Sequence, residues 1–492
     1  MNTGSQKKLA RAIFSGAVRW GAPANRSVPH ETRRRLTYSG LVVRSGLTLT
    51  FLLGAGIALL CGCARRPTTP VHPPASVAPA QTRKTKIALW TIWNAEPRKS
   101  ALDHIVAEFQ REHTDLAVEV TRVEPDAYKT AIRVRLGSDE PPDIFFVWDG
   151  EWLRNFVRAG AVYDLTDLMN ADGGKWKSRL VPESLKRFTY RGRVWGVPYL
   201  LQCTFFLYNK EIFARLGLTV PKTWPELLTT IDKIRAAGLI PIALGNQQRW
   251  PAHHFVSVLW QRLMGEEAVE EDYDPLGPGD YSEPAWLRGL DMFAEMLKHK
   301  PFNDGPNAVT RESARALFYS GKAAMFYTGT WDFARLSEGG EAPRSFWNAW
   351  DFFNFPAVPG GKGDQAALTG APDGYVVSAR SKNAKAAVEF LRFMTRTDIA
   401  QQFVKACQEL VQVKGAVTQD NANLRLRKYA AMVAAARQIC PWSDTLMERS
   451  VADELLNGVQ ALLDGQRTPE QILARVRQAQ AEARKRIASG EL

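Results

Sequence analysis

The chain has 492 residues, 45% of them hydrophobic and 23% charged, and a formal net charge of +13. Residues 1–63 hold nine Lys or Arg against one Glu and residues 64–86 hold five more Lys or Arg, so residues 87–492 are neutral by formal count. The basic balance is a property of the N-terminal region, and the body has no sequence-level claim on a phosphate backbone. Of five cysteines, only Cys203, Cys407 and Cys440 lie beyond residue 63, which is no disulfide scaffold; Cys407 and Cys440 could pair, or each could be a buried thiol.

In chain order, the run Gly46–Leu60 comes first. It carries no charge and spans 15 residues, short of the roughly 20 that cross a bilayer. Arg33, Arg34, Arg35 and Arg44 precede it and Leu60-Cys61-Gly62-Cys63 closes it, the layout of a secretory signal over 1–62. The closing four residues resemble a bacterial lipobox, so Cys63 is expected to carry lipid and to begin the mature protein; the alternative is an ordinary signal whose cysteines are incidental. Thr32–Leu36 faintly resembles a twin-arginine export motif. Residues 63–85, rich in Pro, Ala, Ser and Thr, are expected to form a disordered tether.

About 405 residues remain, enough for two domains. "KIALWTIWN" reads as a strand, and Leu102, Ile105, Val106 and Phe109 mark a helix. "LAVEVTRV" is a second strand, Tyr128–Leu136 a helix and "DIFFVW" a third strand. Such alternation implies parallel βα units with ligands at the carboxyl ends of the strands, here Trp93-Asn94 and Trp148-Asp149. Further on, "FFLYNKEIF" runs from strand into helix. "KTWPELLTTIDKIRAAG" is a helix with Thr223 as N-cap and Gly238 as stop, and "LIPIALG" is a strand. "ALFYSGKAAMFYTGTWDF" reads as helix, glycine turn and strand ending at Trp331. "GYVVSA" is a strand, "AKAAVEFLRFM" a helix, and Asp453–Ala488 two helices, the second starting at Thr468 and Pro469.

Taken in order, "ALWTIW", "PPDIFFVWDGEWLRNFVRAGAVYDLTDLM", "GRVWGVPYLLQCTFFLYNKEIFARLGLTVPKTWPELL", "GKAAMFYTGTWD", "PAVPGG", "SKNAKAAVEFLRFM" and "LLDGQRTPEQIL" resemble family 1 extracellular solute-binding proteins of ABC sugar importers. The likeness is to maltose- and multiple-sugar-binding proteins and covers residues 86–490. It implies an α/β periplasmic-binding-protein-like fold of two lobes, each a mostly parallel sheet flanked by helices, with a multi-crossing hinge and a ligand cleft. The expected lobes are 86–203 with 366–412, and 204–365 with 413–492. It further implies a carbohydrate ligand, ABC permease subunits as partners, a monomer anchored to the membrane through its N-terminal lipid, and neither cofactor nor nucleic acid.

A sugar offers apolar ring faces and a belt of hydroxyls, so its site needs flat aromatics and polar groups that accept and donate. Fifteen Trp are available. Trp331 stands where the family places a stacking aromatic; core packing is the competing role. Trp148 and Asp149 match the first-lobe ligand loop, although Asp149 could instead cap the helix over "GEWLRNF". Trp93 and Asn94 end the first strand, where Trp93 could equally be core. Asn246, Gln247 and Trp250 in "GNQQRWP" are expected to face the cleft. Asp373 and Gly374 lie where the family brings backbone against ligand, and Asp444 matches a late acidic position with Trp442 beside it. Trp195 and Trp224 are assigned structural roles.

Adjacent His253 and His254 point apart on a helix and do not easily share a metal ion without further ligands. No Walker loop, nucleophile elbow, dinucleotide fingerprint or His-Glu-x-x-His occurs. Two other functions compete: a secreted glycoside hydrolase, which needs two carboxylates roughly 5 to 9.5 Å apart, and a binder of glycerol phosphate esters or other polar solutes in the same fold, which needs cationic or amide partners for a phosphate. Arg249 is the residue that favours the latter.

Overall fold

The computed structural model describes residues 84–489. The signal segment 1–62, Cys63 and most of the tether lie outside them, and the first strand begins at Thr85, at the tether's expected end.

Strand β1 (Thr85–Thr91) turns Ile87, Leu89 and Thr91 inward. It pairs in parallel with β2 (Leu116–Arg122) and β3 (Ile144–Trp148). The connections are the helices Arg98–Glu112 and Pro125–Gly137. The first buries Ala101, Leu102, Ile105, Val106 and Phe109, the i, i+3, i+4 stripe that a sheet-facing helix requires. The second begins at a proline, and the Glu124 carboxylate accepts from the N–H groups of Asp126 and Ala127, which satisfies first-turn donors that no helix can pair internally. Ile144, Phe145, Phe146 and Val147 are all buried, as expected of a strand covered on both faces.

After a short hairpin, β4 (Thr189–Tyr190) and β5 (Arg193–Val194), the chain enters β6 (Val197–Asn209). The later strands are β7 (Ile240–Ala243), β8 (Ala323–Gly329), β9 (Trp350–Phe353), β10 (Leu368–Val377) and β11 (Ile439–Cys440). The sheet order is β2-β1-β3-β10-β6-β8-β7, with β9 on β6 and β11 on β10. Parallel units therefore stand at both ends, joined through antiparallel pairs made by β6 and β10. A third segment lies along β6: the Leu201 N–H donates to Leu410 O and the Gln412 N–H to Tyr199 O. Three passes of the chain thus run side by side through the middle of a two-lobed α/β fold.

Strand β10 starts well before the "GYVVSA" segment, and two glycines make its inner part possible. A Cβ on Gly370 would lie 2.2 Å from Gln202 O, and one on Gly374 would lie 2.0 Å from Val197 O. The register of β10 against β6 shifts between Asp373 and Gly374. Gly374 therefore serves strand packing; it does not line the cleft.

In the second half, Asn209 Oδ1 caps the helix Lys210–Arg215. Thr223 occupies the N-cap position of Trp224–Ala236 without a side-chain cap, and Ala357 O instead takes the Trp224 N–H. The last two helices are Arg449–Leu463 and Pro469–Ala488, the latter opened by a Thr468–Gln471 capping box. Cys203 and Cys407 are buried thiols, not halves of a bridge.

Candidate ligand-binding cleft

The chain passes along the middle of the sheet form the floor of a cleft of about 540 Å³, a volume suited to a small organic ligand. Gln202 from β6, Asp373 from β10 and Glu409 all reach it. Arg98 donates to Glu409 through Nε at 2.6 Å and Nη2 at 2.5 Å, and Gln202 Nε2 donates to the same carboxylate at 3.0 Å. Thr330 Oγ1 donates to Gln202 Oε1 at 2.7 Å, which extends the network to the turn that carries Trp331. Glu409 thus has its charge and lone pairs matched in a buried position.

Asp373 is different. Its side chain is 5% exposed and Oδ1 has no hydrogen-bond partner. Burial pushes this carboxyl up to about 8; Glu409 and Asp149 add to the rise and Arg98 opposes it. At neutral pH the group is largely protonated and can donate as well as accept.

On one wall, Trp148 ends β3 and Trp152 follows four residues later in the helix Glu151–Arg158, and the two indoles meet edge to face at 5.4 Å. Lys129 stands 5.6 Å from the Trp148 ring and Arg133 4.7 Å from that of Trp152. Asp149 is fully buried between them. It accepts from Arg187 Nε at 2.8 Å and leaves Oδ1 without a partner. It is not the helix cap, since Gly150 occupies that position.

The opposite wall is built by Trp250, at the start of the helix Trp250–Met264, by Trp331 just after β8, and by Trp442 before the helix Ser443–Leu446. The Trp250–Trp331 and Trp331–Trp442 ring centroids are each 5.8 Å apart. His254 stacks on Trp442 at 5.2 Å and 12°. Burial pushes both His253 and His254 below the usual imidazole range, so the rings stay neutral.

Ten of the twelve positions expected from sequence line this cleft: Trp93, Asn94, Trp148, Asp149, Gln247, Trp250, Trp331, Asp373, Trp442 and Asp444. Trp93 also packs in the core against Tyr199, Tyr375 and Phe403, while its Nε1 lacks an acceptor. Asn246 and Gly374 do not line it. Asn246 is fully buried; its Oδ1 accepts from the Ala252 N–H and its Nδ2 donates to Asn307. It ties down the start of the Trp250 helix, which leaves no group for a ligand. Trp195 and Trp224 lie elsewhere; Trp224 stacks on Phe355.

Cleft residues not anticipated include Arg98, Arg133, Trp152, Gln202, Arg311 and Glu409. Two left a signal. Trp152 follows Trp148 by four residues in "WDGEW", and Gln202 is a lone amide inside the apolar strand "VPYLLQCTFF". Arg98 and Glu409 meet across a separation of 311 residues, which no local pattern announces.

His253, His254 and Asp444 offer donor atoms within 4.8 Å of one another. That spread exceeds the roughly 3.3 Å edge of a tetrahedral zinc site with bonds near 2 Å, and the stacked His254 ring would have to leave Trp442 to close it.

Residues 94–401 match the family described as bacterial extracellular solute-binding protein, and the chain belongs to that family. A multiple sugar-binding protein of Streptococcus mutans is 24% identical over 356 residues, 70% of this chain and 80% of the relative. A structure from a study of xylan utilization by the thermophilic bacterium Caldanaerobius polysaccharolyticus superposes with a TM-score of 0.75 at 27% identity, covering 80% of this chain and 99% of that one. A chitin oligosaccharide binding protein gives 0.73 at 25%, covering 82% and 100%. The family, the Streptococcus mutans relative and the chitin oligosaccharide binding protein are binding proteins, not enzymes.

Proposed function

We propose that the protein captures a mono- or oligosaccharide in the cleft and presents the ligand-bound form to an ABC permease. The carrying observation is that indole faces and orphaned polar atoms occur together there. Trp93 Nε1, Trp152 Nε1, Trp331 Nε1, Asp149 Oδ1, Asp373 Oδ1 and Asp444 Oδ1 are all buried without hydrogen-bond partners. Buried polar groups are almost always paired, and a ring of hydroxyls supplies both the donors and the acceptors this set lacks. The relatives' names point to the same ligand class.

The lobes in this reading are 86–203 with 366–412 and 204–365 with 413–492, hinged at the three central chain passes; a ligand that touches both lobes shifts the population toward closure. A lipid on Cys63 would hold this monomeric receptor at the outer face of a membrane. The test is a thermal-shift screen of mono-, di- and trisaccharides on wild type and Trp331→Ala. A sugar that raises the melting temperature of the wild type only supports the reading; no response to any sugar, or release of product during incubation, refutes it.

A further inference from the structure

The acids at the back of the cleft are accounted for: Glu409 by Arg98, Asp149 by Arg187, and Asp373 by its retained proton. Toward Arg449 the balance reverses. Arg133, on the helix Pro125–Gly137, forms no hydrogen bond or ion pair among the described residues; its Nε is buried, and its guanidinium rests 4.7 Å from the Trp152 ring centre. From the other half of the fold comes Arg449, whose charge acts on Arg133. Burial first, and this like charge second, push Arg133 down to about 10. Asp453 serves two arginines: it lies 3.5 Å from Arg449 and 3.7 Å from Arg249. Glu448, the other acid nearby, accepts from Ser450 N–H at 2.7 Å and lies 3.7 Å from Arg486. Arg133, Arg249 and Arg449 therefore outnumber the acids beside them, Asp453 and the Glu448 that also faces Arg486, and all three arginines line the cleft.

Two like charges brought from opposite halves oppose closure of the cleft unless an anion separates them. We infer that the ligand is an acidic carbohydrate, whose anionic substituent sits between Arg133 and Arg449. This rests on the carbohydrate reading and narrows it. The planar forks of the two guanidinium groups match a carboxylate or a sulfate ester equally in charge and nearly so in geometry. Arg133, held against Trp152, is set to donate without first giving up another partner.

The test is calorimetric titration of the full chain with trigalacturonate, a glucuronate-substituted xylotriose, a sulfated disaccharide and the neutral counterpart of each, the uronates as methyl esters. The expected result is that at least one acidic sugar binds about 10-fold or more tightly than its neutral counterpart. That advantage falls between low and high salt, is lost in Arg133→Gln and Arg449→Gln, and is kept only in part in Arg133→Lys, which retains the charge without the planar fork. Preference for the sulfated sugar supports the anionic subsite and assigns its group to the ester. Neutral sugars binding as well as acidic ones, with Arg133→Gln unchanged in affinity and in melting temperature, would overturn the inference and leave the carbohydrate reading intact. Binding of glycerol phosphate but of no sugar would overturn both.

Discussion

Asp373 lies directly opposite Trp148 in the antiparallel pairing of β10 with β3, so the buried carboxyl at the cleft floor and the indole at its wall are held by one backbone register. The acid is 5% exposed and its Oδ1 has no hydrogen-bond partner. Its ordinary value is 3.8 and burial pushes it up to about 8. Between these pH values the folded state binds a proton that the unfolded state has released, so stability falls as pH rises through the interval. Asp373→Asn should remove that slope. Melting temperatures measured from pH 5 to pH 8 should decline more steeply in wild type than in the variant, and parallel curves would refute this assignment.

Trp331 meets Trp250 edge to face and Trp442 at a tilt, and its ring stays partly uncovered for a ligand. Trp331→Ala should weaken sugar binding by about 10-fold or more, the loss of one well-packed aromatic contact, with a smaller effect on folding than Trp260→Ala, since Trp260 is 1% exposed. Equal loss of stability with unchanged affinity would assign Trp331 to the core.

Arg98 and Glu409 test the floor. Arg98→Met strands a carboxylate whose side chain is 3% exposed, and breaking one side of a buried pair costs about 3–5 kcal/mol. The double variant Arg98→Met/Glu409→Gln should recover much of that loss in urea unfolding. Additive losses would mean that the two residues act independently.

Asn246 separates support from contact. Asn246→Ala removes the acceptor for the Ala252 N–H and the donor to Asn307, and should cost about 1–2 kcal/mol of stability while leaving ligand affinity within a few-fold. A large loss of affinity in a variant of unchanged stability would restore it to the ligand set.

Gly150 adopts φ of +68°, and a Cβ there would meet Thr445 O at 2.6 Å. It thus lets the turn after β3 approach the Ser443–Leu446 segment. Gly150→Ala should push the two apart and lower ligand affinity without touching the ligand; calorimetry and small-angle scattering together would read both effects, and unchanged values would show that this contact does not set the spacing of the two segments.

Most of the architecture was legible because each element carries its own period and its own stop. The helix Arg98–Glu112 shows its stripe, the second terminal helix shows Thr468 and Pro469, and Gly238 and Gly321 mark turns at positive φ. The inner part of β10 was hidden because "LTGAPDG" reads as a turn; only the neighbouring β6 backbone, close enough to exclude a Cβ, makes it a strand. The site divided in the same way. Tryptophans at strand ends advertise themselves, whereas Asn246 looks like a cleft amide until the helix start it satisfies is in view. Of the cleft arginines only Arg249 stood out in the sequence, and the meaning of Arg98, Arg133 and Arg449 depends on which acids lie near them in the fold.

The order of the strands has a consequence for how the protein comes into being. Strand β10 stands between β3 and β6 at the centre of the sheet, yet it is among the last strands in the chain. While the polypeptide is being synthesised or threaded through a translocase from its N-terminus, β1, β2 and β3 emerge first and wait with an open edge until residue 377 has followed. Long-range pairing of this kind is slow to form, and here it postpones commitment to the native state until most of the chain is present. A protein of an exported family gains from that delay, because a chain that has not yet closed its sheet can still be passed through a narrow pore.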